Sequence, residues 1–468
     1  MKVLVLNCGS SSVKFQLIET ESETALIRGL VEKIGSSAGI ISFRAEGNRD
    51  FREVREVVDH EEAVSLVFSI LTHPEQGVLK SLSEISAVGH RVVHGGQSFS
   101  ESVGITDRVY REIAYCSKFA PLHNPSNLKG IDGVKKKLPS MFQVAVFDTA
   151  FHQKMTPKAF LYGLPYALYE KHGIRKYGFH GTSHRYVANR AAEIIGRPLN
   201  ELKIVTCHLG NGSSISAVKD GISIDTSMGF TPLEGLIMGT RCGDIDPAII
   251  PYLMEVENLS PKQIDSLMNK SSGLLGLTET SNDMREIEEE ASQGSKRHRL
   301  ALEMTAYRIK KYIGSYAAAL GGLDAVVFTG GIGENSRTIR KMVLEDMDFL
   351  GIVFDDQKNK DNEENISNGP VKALIIPTNE ELAIARDTAA LYEAMSAKPE
   401  GTETEAKVLS EEDKRKLVLI WANNPKINQL ELVTLFNQET GRNFSVEALE
   451  AELKTLGLSA ASTPSSSG

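Results

Sequence analysis

Met1-Lys2-Val3-Leu4-Val5-Leu6-Asn7-Cys8-Gly9-Ser10-Ser11-Ser12-Val13-Lys14 opens the chain, and Leu202-Lys203-Ile204-Val205-Thr206-Cys207-His208-Leu209-Gly210-Asn211-Gly212-Ser213-Ser214 repeats its pattern about two hundred residues later. Each stretch reads as a β-type run, a tight Gly/Ser turn and a second β-type run. Glycine lets backbone approach a bound anion, and successive N–H groups with serine hydroxyls can ring a phosphate. A pattern that recurs at long period marks a duplicated unit. Two such loops facing each other would hold a polyphosphate from both sides, so the sequence predicts a two-lobed, nucleotide-binding α/β enzyme.

The rest of the chain agrees with that class. Apolar β-type runs alternate with helical periodicity, which is clearest at 61–71, 186–195 and 296–320. The runs before His90-Arg91, Asp148, Thr329-Gly330 and Thr378 each end in polar or glycine residues, where open α/β sheets place ligands. With 468 residues, 41% hydrophobic and 24% charged, the chain is long enough for two or three domains. A net charge of −9 argues against a nucleic-acid binder. No apolar stretch approaches the 18 residues of a membrane span, and the opening run is too short for a signal peptide. The four cysteines, Cys8, Cys116, Cys207 and Cys242, are scattered without metal-type spacing and read as reduced thiols. A cytoplasmic enzyme without nucleic-acid or membrane partners is the expectation.

Several constellations carry chemistry, each with a bland alternative. In the first loop Asn7 can face phosphates or the hydration shell of a metal, and Lys14 can neutralise phosphate charge; the alternative is an ordinary hairpin. Arg91, beside Gly95 and Gly96, can grip a carboxylate or phosphate in two-pronged fashion, or make a surface salt bridge. Asp148, at a strand end, can bind metal, act as a base or cap a helix. Phe179-His180-Gly181-Thr182-Ser183-His184 offers hydrogen-bond donors to a phosphoryl oxygen rather than a zinc site, and His184 also reads as a helix N-terminal residue. Arg241 is a second arginine for charge spread over a moving phosphoryl group. Gly331-Ile332-Gly333-Glu334-Asn335 is a third glycine-rich turn, with Ser336-Arg337 able to start a helix. It lacks the Gly-Lys-Ser/Thr of a P-loop. At Thr378-Asn379-Glu380-Glu381 an acid can orient water on Mg²⁺ or simply favour a helix N-terminus.

These residues resemble the acetate kinase family. Asn7-Cys8-Gly9-Ser10-Ser11-Ser12-Val13-Lys14 and Gly89-His90-Arg91-Val92-Val93-His94-Gly95-Gly96 match its two signatures. The likeness continues through Asp148, His180, His208 to Gly212, Arg241, Asp283-Met284-Arg285, Gly331 to Asn335 and Glu380, and covers residues 1–395. The resemblance implies the superfamily of acetate and sugar kinases, actin and heat-shock chaperones, with two actin-like (ribonuclease H-like) lobes and a homodimer. It implies reversible transfer of a phosphoryl group from ATP to acetate, giving acetyl phosphate and ADP. Mg²⁺, or Mn²⁺ in its place, sits by Asn7 and Glu380, with Glu381 the neighbouring candidate. Lys14, His208, Leu209, Gly210, Asn211, Gly212, Asp283, Met284, Arg285, Gly331, Ile332, Gly333, Glu334 and Asn335 hold the nucleotide. Arg91 takes the acetate carboxylate, and Val93, Leu122, Phe179 and Pro232 take its methyl group. Arg241 and His180 stabilise the transferring group, and Asp148 holds the acid/base position. Acetate is already ionised at neutral pH and needs no base, so in-line transfer suffices and Asp148 is expected to position Mg²⁺ or an arginine. Propionate or butyrate kinase is the near alternative, though Val93 favours the smaller acid. A non-catalytic actin-like scaffold would need neither two arginines nor an acyl pocket.

The expected domains are 1–150 (completed by 381–396) and 151–380, then a linker at 397–407, a small helical appendage at 408–458 and a disordered tail at 459–468. Ser410 with Asp413 marks a helix start in the appendage, followed by helices near 428–438 and 445–456. Its seven Lys and Arg against eight Asp and Glu over 407–458 disfavour DNA and favour a protein partner or no role in catalysis.

Overall fold

The first repeat is a hairpin in the computed structural model, which describes residues 1–45, 47, 50–397, 409–424 and 429–440 with 449, 452, 453 and 455. β1 (Lys2–Cys8) returns as β2 (Ser12–Glu19), and Gly9 N–H donates to Ser12 O at 2.8 Å to close the turn. The second repeat gives β9 (Lys203–Leu209) and β10 (Ser213–Lys219), closed by Gly210 N–H donating to Ser213 Oγ at 3.1 Å.

Each hairpin seeds a sheet of the same plan. The first lobe adds β3 (Thr24–Glu32), β4 (Ser36–Ala45), β5 (Phe51–Val57), β6 (Ala87–Val92), β7 (Val103–Gly104) and β8 (Gln143–Phe147), in the order β5-β4-β3-β2-β1-β6-β8-β7. The second adds β11 (Ile222–Thr226), β12 (Ala325–Thr329) and β13 (Lys372–Ile375), in the order β11-β10-β9-β12-β13. In both, three antiparallel strands are followed by two parallel ones: β3-β2-β1-β6-β8 and β11-β10-β9-β12-β13. Strands β4 and β5 are an outer extension that periodicity did not reveal. β5 is charged and exposed along most of its length, so it carries no apolar alternation.

Helices cover both faces of each sheet, and short-range chemistry sets their ends. Asp59 accepts from Glu62 N–H at 2.9 Å to start His60–Leu71, and Ser336 accepts from Ile339 N–H at 3.0 Å to start Arg337–Leu344. Helix Lys296–Leu320 has the bounds that periodicity predicts and stops at Gly321 with φ 67°. Helix Glu380–Ser396 returns to the first lobe and packs Leu382, Ile384, Ala385 and Ala389 on Val3, Val5, Val144 and Val146. It comes so close at Gly89 that a Cβ there would lie 2.4 Å from Thr388 Oγ1.

Two readings need correction. The helix expected from residue 186 starts five residues earlier, as Gly181–Ile195. Its first turn holds Thr182, Ser183 and His184, which are polar yet buried because the sheet beneath them is polar too. The glycine-rich turn at Gly331 is one turn of helix, Gly330–Asn335, standing directly on the end of β12.

The chain divides into two compact units, Met1–Glu393 and Ala394–Gly468. In the second, helices Glu411–Asn423 and Gln429–Thr440 share a small core of Leu417, Ile420, Leu432 and Phe436. Ser410 and Asp413 form the expected capping box. All but the first residue of the linker expected at 397–407, most of the helix expected at 445–456 and the tail at 459–468 lie outside the described residues. Because the two repeats and helix Glu380–Ser396 complete their sheets without this unit, a chain cut after Ser396 is expected to keep its fold and turnover, checked by circular dichroism and initial rates.

Candidate active site

Strand register places the first lobe's candidates on one face. Asn7 pairs with Lys14 across the hairpin, Leu6 pairs with His90, and Arg91 pairs with Val146. Side chains alternate along a strand, so Asn7, Lys14, Arg91 and Asp148 emerge on the same side at one edge of the sheet. Glu380 and Glu381 meet them from the first turn of helix Glu380–Ser396. Arg91 donates through Nε (2.9 Å) and Nη2 (2.8 Å) to the two oxygens of Asp148, and its Nε lies 3.6 Å from Glu380 Oε2. Lys14 pairs with Glu381.

Burial alone would lower the Arg91 pKa, but Asp148, Glu380 and Glu381 carry it upward. Burial pushes the Asp148 carboxyl up and Arg91 pulls it down. The two-pronged contact to both oxygens is the geometry of an ionised guanidinium–carboxylate pair. Asp148 therefore caps no helix here; it straps an arginine. Asn127, which sequence reading missed, holds the two segments together: its Oδ1 accepts from Val93 N–H at 3.1 Å and its Nδ2 donates to Cys8 O at 2.8 Å.

The second lobe brings His180 and Arg241 to the phosphate loop. His180 sits in the left-handed region, φ 56°, a conformation that non-glycine residues adopt under constraint. The next residue, Gly181, donates its N–H to Asp148 O at 2.8 Å and so ties the two lobes. A Cβ on Gly212 would lie 3.1 Å from Arg241 Nη2 and 3.5 Å from His180 Nε2, so both groups stand against this loop and a side chain there would press on the Arg241 guanidinium. Arg241 Nη1 donates to Pro232 O at 2.7 Å. The loop carrying both is pinned to helix Lys296–Leu320, since Asp244 accepts from Gly235 N–H (2.7 Å) and Tyr312 OH (2.7 Å). His123, also missed, lies within electrostatic reach of Asp148, Arg91 and Arg241; an isolated histidine carries no spacing signal.

Phe179, Met228 and Met238 form a small buried cluster against Val93. The two methionines escaped the sequence reading because they belong to no periodic run. Leu122 is 62% exposed, beside His123, and Pro232 stands outside the cluster.

A cavity of about 690 Å³ opens in the second lobe, lined by Gly210, Asn211, Asp283, Met284, Arg285, Gly331, Ile332 and Asn335, with Asn282, Glu288 and Ser336 in addition. Its size suits a nucleoside. Other residues grouped with it by sequence lie around it. His208 stacks on His180 at 4.2 Å, Leu209 faces the core and Gly333 backs onto Phe328. Glu334 accepts from Gly330 N–H (2.9 Å) and Thr378 N–H (3.2 Å). Lys14 is on the first lobe and does not line the cavity.

A divalent cation fits the donor chemistry at the first lobe's edge. Asn7, Asp148 and Glu380 offer hard oxygens, and among the described residues no cluster of three or more acidic, His or Cys ligands forms an all-protein cage. Mg²⁺ characteristically takes one or two carboxylates and leaves its other positions to water and substrate phosphates.

The buried histidines have a measurable consequence. Burial pushes His90, His152 and His208 down to about 4 and His94 to about 3. The unfolded chain takes up these protons near pH 6.5. The depressed groups thus contribute stability that is complete above that pH and lost as pH falls toward 4, each by up to about 1.4 kcal/mol per pH unit. Urea titrations at stepped pH should show the midpoint falling over this window and flat from 7 to 8.

Duplicated actin-like lobes, with Arg241 against a glycine-rich loop of the second lobe and Arg91 at the sheet edge of the first, fit a kinase, an enzyme of phosphoryl transfer. The family model described as the acetokinase family matches residues 2–386, and the chain belongs to that family. It is 55% identical over 399 residues to acetate kinase of Caldicellulosiruptor saccharolyticus, a match covering 84% of this chain and 100% of that one. The structure resembles crystal structures of Porphyromonas gingivalis acetate kinase (TM-score 0.80, 48% identity, 83% of this chain and 99% of that one) and of a propionate kinase from Francisella tularensis (TM-score 0.79, 45% identity, 83% and 99%). No helix among the described residues is long and apolar enough to cross a membrane.

Proposed function

We propose that the chain transfers the γ-phosphoryl group of ATP to acetate, reversibly and directly in line, giving acetyl phosphate and ADP. One observation carries this reading: guanidinium groups from both lobes, Arg91 and Arg241, act on the same imidazole, His180, and the neighbouring Phe179 packs with Val93 in a small apolar cluster. Arg91 takes the carboxylate while the cluster takes the methyl group. Arg241 and the His180 imidazole meet the charge on the transferring phosphoryl, and the cavity at Gly331 takes the nucleoside. Asn7 and Glu380 would hold Mg²⁺, with Mn²⁺ as a substitute, and the ion supplies charge neutralisation between the phosphates. Acetyl phosphate trapped as its hydroxamate is the direct test, and the absence of product with all substrates present would leave the scaffold reading standing. EDTA should abolish turnover, and Mg²⁺ or Mn²⁺ should restore it.

A second reading, propionate as substrate, is favoured by the Francisella tularensis structure. One methylene in an apolar pocket is worth about 1–3 kcal/mol. Val93→Ala is expected to raise kcat/KM for propionate over acetate by about tenfold, checked by comparing the two acids.

Homodimerisation suits an exposed apolar face. Ile249, Tyr252 and Val256 of helix Ile249–Val256 are exposed, as are Leu300, Met304 and Tyr307 of helix Lys296–Leu320. Arg308 and Tyr312 hold Asp244, which ties the segment leading into helix Ile249–Val256 to helix Lys296–Leu320. Paired Tyr252→Asp and Tyr307→Asp should turn a dimer into a folded monomer in light scattering. Four unpaired cysteines are compatible with a reducing, cytoplasmic setting.

A further inference from the structure

The face of the second sheet beneath helix Gly181–Ile195 carries a chain of four side chains. Thr206 Oγ1 lies 2.8 Å from His184 Nδ1, His184 Nε2 lies 2.7 Å from Ser214 Oγ, and Ser214 Oγ lies 2.9 Å from His180 Nδ1. The strand register explains the alignment: Thr206 and His208 of β9 face Ser216 and Ser214 of β10 on one side of the sheet, and the helix lays His184 across them. Thr206, His184 and Ser214 are 0% exposed.

A hydroxyl has one proton to donate, and a neutral imidazole carries one N–H and one lone pair. The recorded partners of the buried Ser214 hydroxyl are the two imidazoles, so its proton must go to one of them if it is not to be left unpaired, and the four groups then have two self-consistent settings. In one, Thr206 donates to His184, His184 to Ser214 and Ser214 to His180 Nδ1, which leaves His180 with its proton on Nε2. In the other, every donor is reversed and His180 Nε2 is a bare lone pair.

The far end of the chain selects between them. Reversal requires the Thr206 hydroxyl to donate to Ser216 O, which lies 3.4 Å away, against 2.8 Å to His184 Nδ1. The longer contact is at the limit of a hydrogen bond. His180 turns the Cε1–Nε2 edge of its ring toward Gly212, where Arg241 Nη2 also points. We propose that Thr206, acting through His184 and Ser214, fixes the tautomer of His180, so that a neutral imidazole presents an N–H to the transferring phosphoryl group.

Thr206, His184 and Ser214 are thus positioning residues, and the inference rests on the role proposed above for His180. Burial, with His208, Arg91 and Arg241 close by, holds His180 well below the ordinary imidazole range. It cannot donate by becoming charged, so the tautomer decides whether a phosphoryl oxygen meets a donor or a lone pair. Neighbouring His208 has a separate anchor, Ser183 Oγ at 2.8 Å from its Nδ1.

The test uses the full chain labelled with ¹⁵N-histidine, its His180 ring signals assigned by their loss in His180→Gln. Wild type should show the Nε2–H tautomer. Thr206→Val keeps the shape and removes the hydroxyl. It should move His180 toward the Nδ1–H tautomer and lower kcat about tenfold, part of the roughly 10²–10³ lost with a whole transition-state donor, while KM for acetate and ATP stays constant. Thr206→Ser should restore both readouts. If Thr206→Val does not fold, Ser214→Ala is read in the same way. An Nδ1–H tautomer in wild type overturns the proposal, as does an unchanged tautomer in Thr206→Val or an equal kcat loss in the Val and Ser variants. A shifted tautomer in a chain whose His180→Ala variant keeps full kcat would instead reject the phosphoryl role and leave the relay standing.

Discussion

Arg241→Ala is expected to lower kcat by about three orders of magnitude, with KM for ATP little changed. An arginine that meets a phosphoryl group in transit contributes about 10³–10⁵ in rate, because it neutralises charge that is greatest in the transition state. The surroundings of Arg241 suit the role proposed for it. Burial makes its isolated charge costly, and its Nη1 is held on Pro232 O while Nη2 is directed at the phosphate loop beside Gly212. Lysine is a poor substitute, since one ammonium cannot span both contacts, so Arg241→Lys should recover little. Single-turnover kinetics with saturating ATP check the result. A kcat within tenfold of wild type would remove Arg241 from the phosphoryl site.

Asp148→Asn is the second large effect, with kcat/KM for acetate falling by about two orders of magnitude. The reason is geometric. Arg91 donates from Nε and Nη2 to two carboxylate oxygens, and an asparagine keeps one acceptor and turns a second donor toward the guanidinium. Breaking one member of a buried ion pair costs about 3–5 kcal/mol when the other charge is left uncompensated. Here Glu380 remains nearby, so Arg91 should swing toward it and away from the acetate carboxylate. The loss therefore falls on acetate binding, and the pH–rate profile keeps its shape. Acetate is ionised throughout the neutral range. If activity in Asp148→Asn recovers as pH is raised, Asp148 is a base and the strap is the wrong account.

The class, the duplication and most strands were legible in the chain, because they depend on short-range signals. Gly/Ser turns between β-type runs announced both hairpins, and the 3.6-residue period of 296–320 gave its helix end to end. Cavity-lining residues such as Asn211 and Gly331 stood out because glycine clusters at strand ends have few other uses. Asn127, His123, Met228 and Met238 were invisible for the opposite reason. Each is a single residue of a common type, and only the folded chain brings it to the cleft.

The sequence by itself determined two homologous lobes, their phosphate loops and the kinds of charged group around them, since each follows from a contiguous pattern of a few residues. Tertiary structure alone decided what those groups do to one another. Whether Asp148 holds a metal, a proton or Arg91, and which nitrogen of His180 carries its hydrogen, depends on strand register and on a helix laid across the sheet. Those contacts join residues tens to hundreds of positions apart, and no local pattern encodes their partner.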